Sequence, residues 1–216
     1  MAKKALVIGI AYNNKKHIEN GTNLNADKDA ISMAKYLKTR GYTKILLMSD
    51  GDETYEETKK YLGDSVPDDK LEDFVMPTKQ HIESAMNWLV QDARVGDEDE
   101  EKDDELFLYF AGHGTQVEGE ETKFPEMAEI YGEEYDEEDG KDECIVTLAG
   151  YDNEKLEIIT DNDMYDILIK DLAKGVRLTA IFDCCRSGTI LDLPIFSHMP
   201  MNNWRKVQAN LTHRLT

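Results

Sequence analysis

The 216-residue chain has the length of one ordinary domain or slightly more, and no apolar stretch approaches the ~20 residues that a transmembrane helix needs. Its 45 acidic and 25 basic residues give a formal net charge of −20, which argues against nucleic-acid or anionic-membrane binding because both call for basic surface. Because no stretch is long and apolar enough for a membrane helix, we expect a soluble, cytoplasmic protein. The three cysteines, two of them adjacent, lack the spacing of a disulfide framework or a zinc site, which fits a reduced compartment.

The first half of the chain alternates between strand and helix patterns. Residues 4–10 form an apolar run that predicts a strand. Residues 26–39 carry apolar residues at helical spacing, and Gly41 is a C-cap candidate just past their end. Residues 44–48 then predict a second strand.

The second half continues this alternation. A helix is predicted from Pro77-Thr78 to near Gly96, followed by a strand over 106–111 and a short strand over 143–148. A second helix is predicted from a capping box at Thr160 through Leu172, and Gly175 closes it. The last predicted element is a strand over 176–182. This order predicts an α/β fold with a mostly parallel sheet and helices on both faces. Residues 197–216 break the pattern, and we expect a flexible tail or a partial expression remnant there.

Two of the apolar runs end at a reactive side chain close to glycine. Residues 106–111 lead into Gly112-His113-Gly114, and residues 178–182 lead into Asp183-Cys184-Cys185. Strands of a parallel sheet end at one edge, where α/β proteins place functional groups. Cysteine attacks as the thiolate, which is scarce at neutral pH unless a neighbouring imidazole takes the proton. The pairing therefore predicts a cysteine hydrolase.

Each residue also has a structural interpretation. Free cysteine is among the most buried residue types, and a lone histidine after a strand is usually structural. The joint occurrence of both at strand exits favours the catalytic interpretation. A flavodoxin-like signalling domain is a weaker alternative, because the chain has no phosphate-cradling glycine-rich loop after its first strand.

Most of the negative charge lies in two loops, one on each side of the His113 strand. Residues 97–105 carry eight acids and one base, and residues 118–143 carry thirteen acids and two bases. Closely spaced carboxylates suit Ca²⁺, which takes six to eight oxygen ligands. Charge runs are more often merely solvated, however, and no EF-hand pattern is present.

The motifs around these residues resemble a known family. One match is Phe110-Ala111-Gly112-His113-Gly114-Thr115, which resembles the Tyr-Ser-Gly-His-Gly-Thr segment of metacaspases. Another is Asp183-Cys184-Cys185-Arg186-Ser187-Gly188, which resembles their Asp-Ser-Cys-His-Ser-Gly segment. Further matches lie at residues 4–10, 139–146 and 159–163, so the resemblance spans nearly the whole chain.

The resemblance implies a three-layer caspase-like fold over residues 1–196, corresponding to the large catalytic subunit. It implies peptide-bond hydrolysis with Cys185 as the nucleophile and His113 as the base, and an oxyanion held by the backbone N–H groups of Gly114 and Cys185. Cys184 takes a position usually held by serine, and its expected role is packing. The alternatives are that it forms a disulfide or that it replaces Cys185 poorly as the nucleophile. The separation of 72 residues between His113 and Cys185 exceeds the roughly 50 of caspases, and the acidic insertion at 118–143 accounts for the difference.

The resemblance also implies a substrate preference. Asp29 and Asp183 match aspartates that line the primary specificity pocket in metacaspases, and two carboxylates in a cleft select arginine or lysine. The alternative for Asp29 is a solvated residue at a helix start, favoured by the helix macrodipole. Similarity to Ca²⁺-activated metacaspases further points to activating Ca²⁺ on the acidic stretch Asp136, Glu137, Glu138, Asp139 and Asp142.

Departures from the family pattern leave alternatives open. Ala26, Ala111 and Arg186 stand where metacaspases commonly have cysteine, serine and histidine. No segment after residue 196 resembles the small subunit of the family, so we expect an uncapped sheet edge and, with it, a homodimer or a separate small-subunit partner. A catalytically silent, Ca²⁺-responsive binding scaffold is the alternative to a protease that cleaves protein substrates after basic residues.

Overall fold

The structure is a computed structural model that describes residues 3–13, 24–51, 76–93, 104–118, 141–148, 157–173, 175–185 and 190–191, and the backbone of 206–209. In chain order its elements are β1 (Lys3–Gly9), α1 (Ala26–Thr39), β2 (Lys44–Ser49), α2 (Lys79–Val90), β3 (Glu105–Ala111), β4 (Gly114–Glu118), β5 (Lys141–Val146), β6 (Ile158–Thr160), α3 (Asp161–Leu168), β7 (Arg177–Asp183) and β8 (Lys206–Ala209). The helices and strands predicted from the apolar pattern are all present.

The main sheet has five strands in the order β2-β1-β3-β7-β8. The first four are parallel, so their carboxyl ends lie at one edge, as the alternating pattern predicts. Strands β4, β5 and β6 form a second, antiparallel sheet. Residues 114–118 are half-buried or exposed and show no strict apolar alternation, which is why no strand is predicted for β4.

Helices cover both faces of the main sheet. Along β1, Ala5 and Val7 face a cluster that includes the apolar side of α1, whereas Leu6 and Ile8 face a cluster that includes α2 and α3. This alternation follows from the period of two in a strand, and burial on both faces explains the near-continuous apolar runs. The arrangement is consistent with the three-layer caspase-like fold.

The contact between α1 and β1 is close at the carboxyl end of the strand. A Cβ atom at Gly9 would overlap the carbonyl oxygen of Ala26 and would lie 2.5 Å from the Cβ of Ala30. Because only glycine allows this approach, the first turn of α1 lies directly over the edge where the parallel strands end. The chain leaves α1 through Gly41, whose φ of +86° confirms the predicted C-cap.

Two helices end earlier than predicted. Helix α2 ends at Val90 and not near Gly96. The helix begun by the Thr160 capping box is confirmed, but it ends at Leu168 and not at Leu172. The N–H groups of Ile169 and Lys170 both donate to the carbonyl of Tyr165, so the helical hydrogen-bond pattern stops there.

Four of the residues that we expected to form a flexible tail, Lys206–Ala209, form a strand instead. Lys206–Ala209 forms β8 inside the segment predicted to be a tail, and its backbone pairs antiparallel with β7 from Leu178 to Ile181. The edge of β7 is therefore covered by this chain itself and is not the uncapped edge that we expected. Within the described segments, no helix combines the length and the apolar character needed to cross a membrane.

Candidate active site

The register between β3 and β7 places His113 and Cys185 at the same level. Ala111 at the end of β3 pairs with Asp183 at the end of β7, and each reactive residue lies two positions further on. The N–H of Gly112 donates to the carbonyl of Asp183 at 3.3 Å, so the two chains remain adjacent beyond the strands. His113 and Cys185 therefore follow neighbouring strands at equivalent positions along one edge of the sheet.

Backbone contact between Gly114 and Cys185 closes the gap between these two segments. A Cβ atom at Gly114 would overlap the carbonyl oxygen of Cys185 and would lie 3.0 Å from the Sγ of Cys184. Glycine is thus the only residue that fits at the position directly after His113. This contact joins the start of β4 to the turn that carries both thiols.

Cys185 also lines an open cleft with a volume of about 390 Å³. The other described residues that line it belong to β4 and the start of β5: Gly114, Thr115, Gln116, Val117, Glu118 and Lys141. His113, Asp29 and Asp183 are not among them. The cleft therefore borders β4 as well as Cys185.

The environment of His113 favours the neutral imidazole. Burial lowers the pKa of His113 from its usual range, because a charged ring loses solvation there. The aromatic ring of Tyr12 lies against the imidazole, with 4.8 Å between ring centroids and a tilt of 36°. A neutral imidazole is the form that can accept a proton from a thiol.

The two adjacent cysteines differ in exposure and in acidity. Cys185 is exposed, whereas Cys184 is half-buried. Burial, with further contributions from the neighbouring Cys185 and Asp183, raises the pKa of Cys184 to about 12, so its thiolate is scarce at neutral pH. All three cysteines lie in described segments and are free thiols, as their spacing predicts.

Asp29 and Asp183 are brought together near the same edge. Partial burial and then the negative charge of Asp29 raise the pKa of Asp183, while a hydrogen bond from the Tyr109 hydroxyl opposes that shift. The pKa of the Tyr109 hydroxyl is raised by its burial and by both carboxylates. Asp29 reaches this position from the first turn of α1, which Gly9 allows to lie close to the sheet.

Comparison with known proteins assigns the family. A family model for the metacaspase, peptidase C14 domain matches residues 3–194. The chain belongs to the metacaspase family. It is 35% identical over 192 residues to Metacaspase-1 of Candida albicans and 36% identical over 195 residues to Metacaspase-1 of Saccharomyces cerevisiae. Both alignments cover 89% of this chain and, respectively, 34% and 35% of the relative, so the chain spans about a third of their length.

A solved structure supports the fold. Protein GSU0716 from Geobacter sulfurreducens superposes with a TM-score of 0.51 at 22% identity, covering 88% of this chain and 53% of that protein. At this identity the similarity shows the fold alone. The resemblance inferred from the sequence motifs is confirmed, and the metacaspase domain is of the cysteine-type peptidase class.

The predicted metal ligands of this metacaspase domain fall mostly outside the described residues. Asp136, Glu137, Glu138 and Asp139 lie there, and only Asp142, a buried residue of β5, is described. Within the described segments, no three His, Cys, Asp or Glu side chains are arranged to hold a metal ion. The chemistry of Asp142 suits a hard cation, since it is a carboxylate next to other acidic groups.

Those acidic groups surround Cys144 in β5. Burial, and then the negative charges of Asp161, Asp142, Glu143 and Asp163, raise the pKa of Cys144 to about 12. The N–H of Glu143 donates to the Asp161 carboxylate at 2.7 Å, which links β5 to the start of α3. The strand that follows the acidic insertion is therefore rich in negative charge.

Three further residues at the site are absent from the candidates that the sequence analysis named. They are Tyr12 and Asp50, just past the ends of β1 and β2, and Tyr109 within β3. Tyr12 and Asp50 share the signal that identified His113, namely a polar side chain where a buried parallel strand ends. Tyr109 carries no such signal, because an aromatic residue inside an apolar run reads as core.

Proposed function

We propose that this domain is a cysteine endopeptidase in which His113 and Cys185 form the catalytic dyad. The observation that carries the proposal is the register of β3 with β7, which leaves the imidazole and the exposed thiol at equivalent positions beyond adjacent strands. The neighbouring Cys184 is a poor candidate, because its raised pKa keeps it protonated. Membership of a cysteine-peptidase family supports the same reaction class.

In the proposed mechanism, neutral His113 accepts the thiol proton of Cys185, and the thiolate attacks the scissile carbonyl. His113 then protonates the leaving amine, and water hydrolyses the resulting acyl-enzyme. The backbone N–H groups of Gly114 and Cys185 stabilise the oxyanion. The ladder between β4 and β5 supports this role for Gly114, because Val146 bonds to His113 and the alternation of the ladder turns the N–H of Gly114 away from β5.

We further propose that the residue before the scissile bond is arginine or lysine. Burial and then the negative charge of Asp29 raise the pKa of Asp183, so a cationic side chain beside the two carboxylates would relieve their repulsion. A guanidinium also offers paired N–H donors that match carboxylate geometry. An aspartate side chain in the same place would add a third negative charge.

Ca²⁺ stimulation is the third part of the proposal. Asp142 would supply one ligand from β5, and the acidic stretch before it would supply the others. Bound Ca²⁺ would offset the mutual repulsion of the carboxylates that precede β5, the strand paired with β4, in the sequence. The cation would thereby stabilise the start of β5, where Lys141 lines the cleft at Cys185.

The decisive experiment is a peptidase assay on the full chain with fluorogenic peptides that end in Arg, Lys or Asp, each measured with Ca²⁺ or with EDTA. Turnover of the Arg and Lys peptides, lost in Cys185→Ala and in His113→Ala, is the expected result. The matched control is Cys144→Ala, which removes a buried thiol elsewhere in the same fold. Absence of wild-type turnover under every condition would overturn the proposal in favour of a silent scaffold.

A further inference from the structure

The backbone of His113 is held by a tyrosine hydroxyl inserted into a β ladder. The N–H of Val146 donates to the carbonyl of His113 at 3.0 Å, which is one of the two bonds expected of a hydrogen-bonded antiparallel pair. The second bond is not direct. The N–H of His113 donates to the Tyr12 hydroxyl at 2.9 Å, and that hydroxyl donates to the carbonyl of Val146 at 2.8 Å.

This insertion has a geometric consequence for the imidazole. Two hydrogen bonds in series separate His113 from Val146 on one side, whereas a single bond joins them on the other. The chain at His113 is therefore splayed away from β5 at its N–H, and the ring of Tyr12 packs on the imidazole at 4.8 Å. Gly112 leaves room for the Tyr12 hydroxyl, because a Cβ atom at this position would lie only 3.0 Å from it.

Tyr12 is itself held in an unusual conformation. It has a φ of +55° and is fully buried, although its left-handed backbone costs roughly 1 kcal/mol or more for a residue with a Cβ. The carboxylate of Asp50 accepts hydrogen bonds from both flanking N–H groups, at 2.7 Å from Ala11 and 2.8 Å from Asn13. One carboxylate thus clamps the turn on either side of Tyr12.

We propose that Tyr12, clamped by Asp50, is the positioning residue that orients His113 towards Cys185. The proposal rests on the proposed function, in which His113 is the base. Tyr12 would act through two contacts, its hydrogen bond to the backbone N–H of His113 and the packing of its ring on the imidazole. Without the hydroxyl, the ladder can close to a direct bond and draw the imidazole towards β5.

The test compares Tyr12→Phe and Asp50→Asn with Tyr42→Phe, a hydroxyl deletion at a half-buried tyrosine packed on Phe107 outside the site. Misplacement of a catalytic group costs ~10²-fold in rate, so kcat of Tyr12→Phe should fall roughly 10- to 100-fold with KM unchanged. Asp50→Asn should lower kcat in the same direction, because the amide can accept from only one of the two N–H groups. Tyr42→Phe should retain the wild-type kcat.

A merely structural role gives a different pattern. Unchanged kcat in Tyr12→Phe, or a loss that disappears when the assay is run well below the Tm of the variant, would overturn the proposal. A second readout is the rate at which iodoacetamide alkylates Cys185, followed by mass spectrometry. This rate should fall in Tyr12→Phe towards that of His113→Ala.

The alkylation rate also separates this proposal from the peptidase proposal. If wild-type protein hydrolyses no peptide, the peptidase assignment is overturned. The positioning role is then decided by alkylation alone, and a rate in Tyr12→Phe equal to the wild-type rate overturns it as well.

Discussion

The Tyr109 hydroxyl donates a hydrogen bond to the carboxylate of Asp183 across the neighbouring strands β3 and β7. Tyr109 is buried under α1, and the negative charge of Asp29, in the first turn of that helix, raises the pKa of Asp183. The hydroxyl holds one carboxylate in place while the other approaches it. A pair of acidic groups is thus kept together at the sheet edge despite their mutual repulsion.

Asp183→Asn should weaken cleavage of an Arg substrate. A hydrogen bond to a charged group contributes about 1.5–3 kcal/mol, so kcat/KM for the Arg peptide should fall roughly 10- to 100-fold. The control is Asp166→Asn on α3, which removes an exposed carboxylate that pairs with Lys170 and should leave kcat/KM unchanged. An Arg-peptide rate that survives both Asp183→Asn and Asp29→Asn would contradict the basic-residue specificity.

The same substitution should change stability with a defined pH dependence. The pKa of Asp183 is raised in the folded protein, so its contribution to stability is full below the unfolded carboxyl pKa and is lost as pH rises through the folded value. The Tm of Asp183→Asn relative to wild type should therefore increase from acidic to neutral pH. Thermal unfolding at several pH values checks this, and a flat difference across that range would contradict it.

The two adjacent thiols should respond differently to substitution. Cys185→Ser should lower kcat by ~10³-fold or more, as expected for loss of a nucleophile. Cys184→Ser should retain most activity, because the pKa of that thiol, raised to about 12, keeps it out of the chemistry. Peptidase assays compare the kcat of the two variants, and iodoacetamide labelling of the wild-type protein shows which thiol is the more reactive. Preferential labelling of Cys184 would make Cys184, and not Cys185, the nucleophile.

Much of the sheet could be predicted from the sequence, because strands buried on both faces are near-continuous apolar runs. The positions of His113 and Cys185 follow from the ends of two such runs. The strand β4 could not be predicted, since its residues are half-buried or exposed and lack a periodic apolar face. The short strand β8 is specified by pairing with β7 and not by its own pattern.

The role of Tyr12 could not be predicted for a different reason. Its position depends on a left-handed backbone conformation and on a carboxylate 38 residues further along the chain, at Asp50. Neither of these leaves a periodic signal. Residues that position a catalytic group through the backbone of another segment become visible only when the loops at the sheet edge are assembled.

Removal of Ca²⁺ should lower both activity and stability. A cation that binds only the folded state stabilises it by about 2.7 kcal/mol at 100 times its Kd, so EDTA should lower the Tm of Ca²⁺-loaded protein. Asp142→Asn should weaken Ca²⁺ binding, measured by isothermal titration calorimetry. Glu83→Gln on α2, which removes a carboxylate paired with Lys79, should leave that binding unchanged. A Tm that does not respond to EDTA would remove Ca²⁺ from the proposed mechanism.

Gly114→Ala should lower kcat by displacing Cys185 and not by unfolding the protein. The added methyl group would overlap the carbonyl of Cys185, so the turn that carries the thiol must move away from His113. A misplacement of about 1 Å can cost ~10²-fold in rate, and we expect a loss of kcat of that order.

The matched control is Gly41→Ala at the end of α1. There the new Cβ would meet only the Cδ of Lys3 at 4.0 Å, but the φ of +86° makes alanine unfavourable by roughly 1–2 kcal/mol. This variant should therefore lose Tm and keep the wild-type kcat, whereas Gly114→Ala should lose kcat at temperatures where it is fully folded. If Gly114→Ala keeps its kcat, the contact between Gly114 and Cys185 does not position the nucleophile.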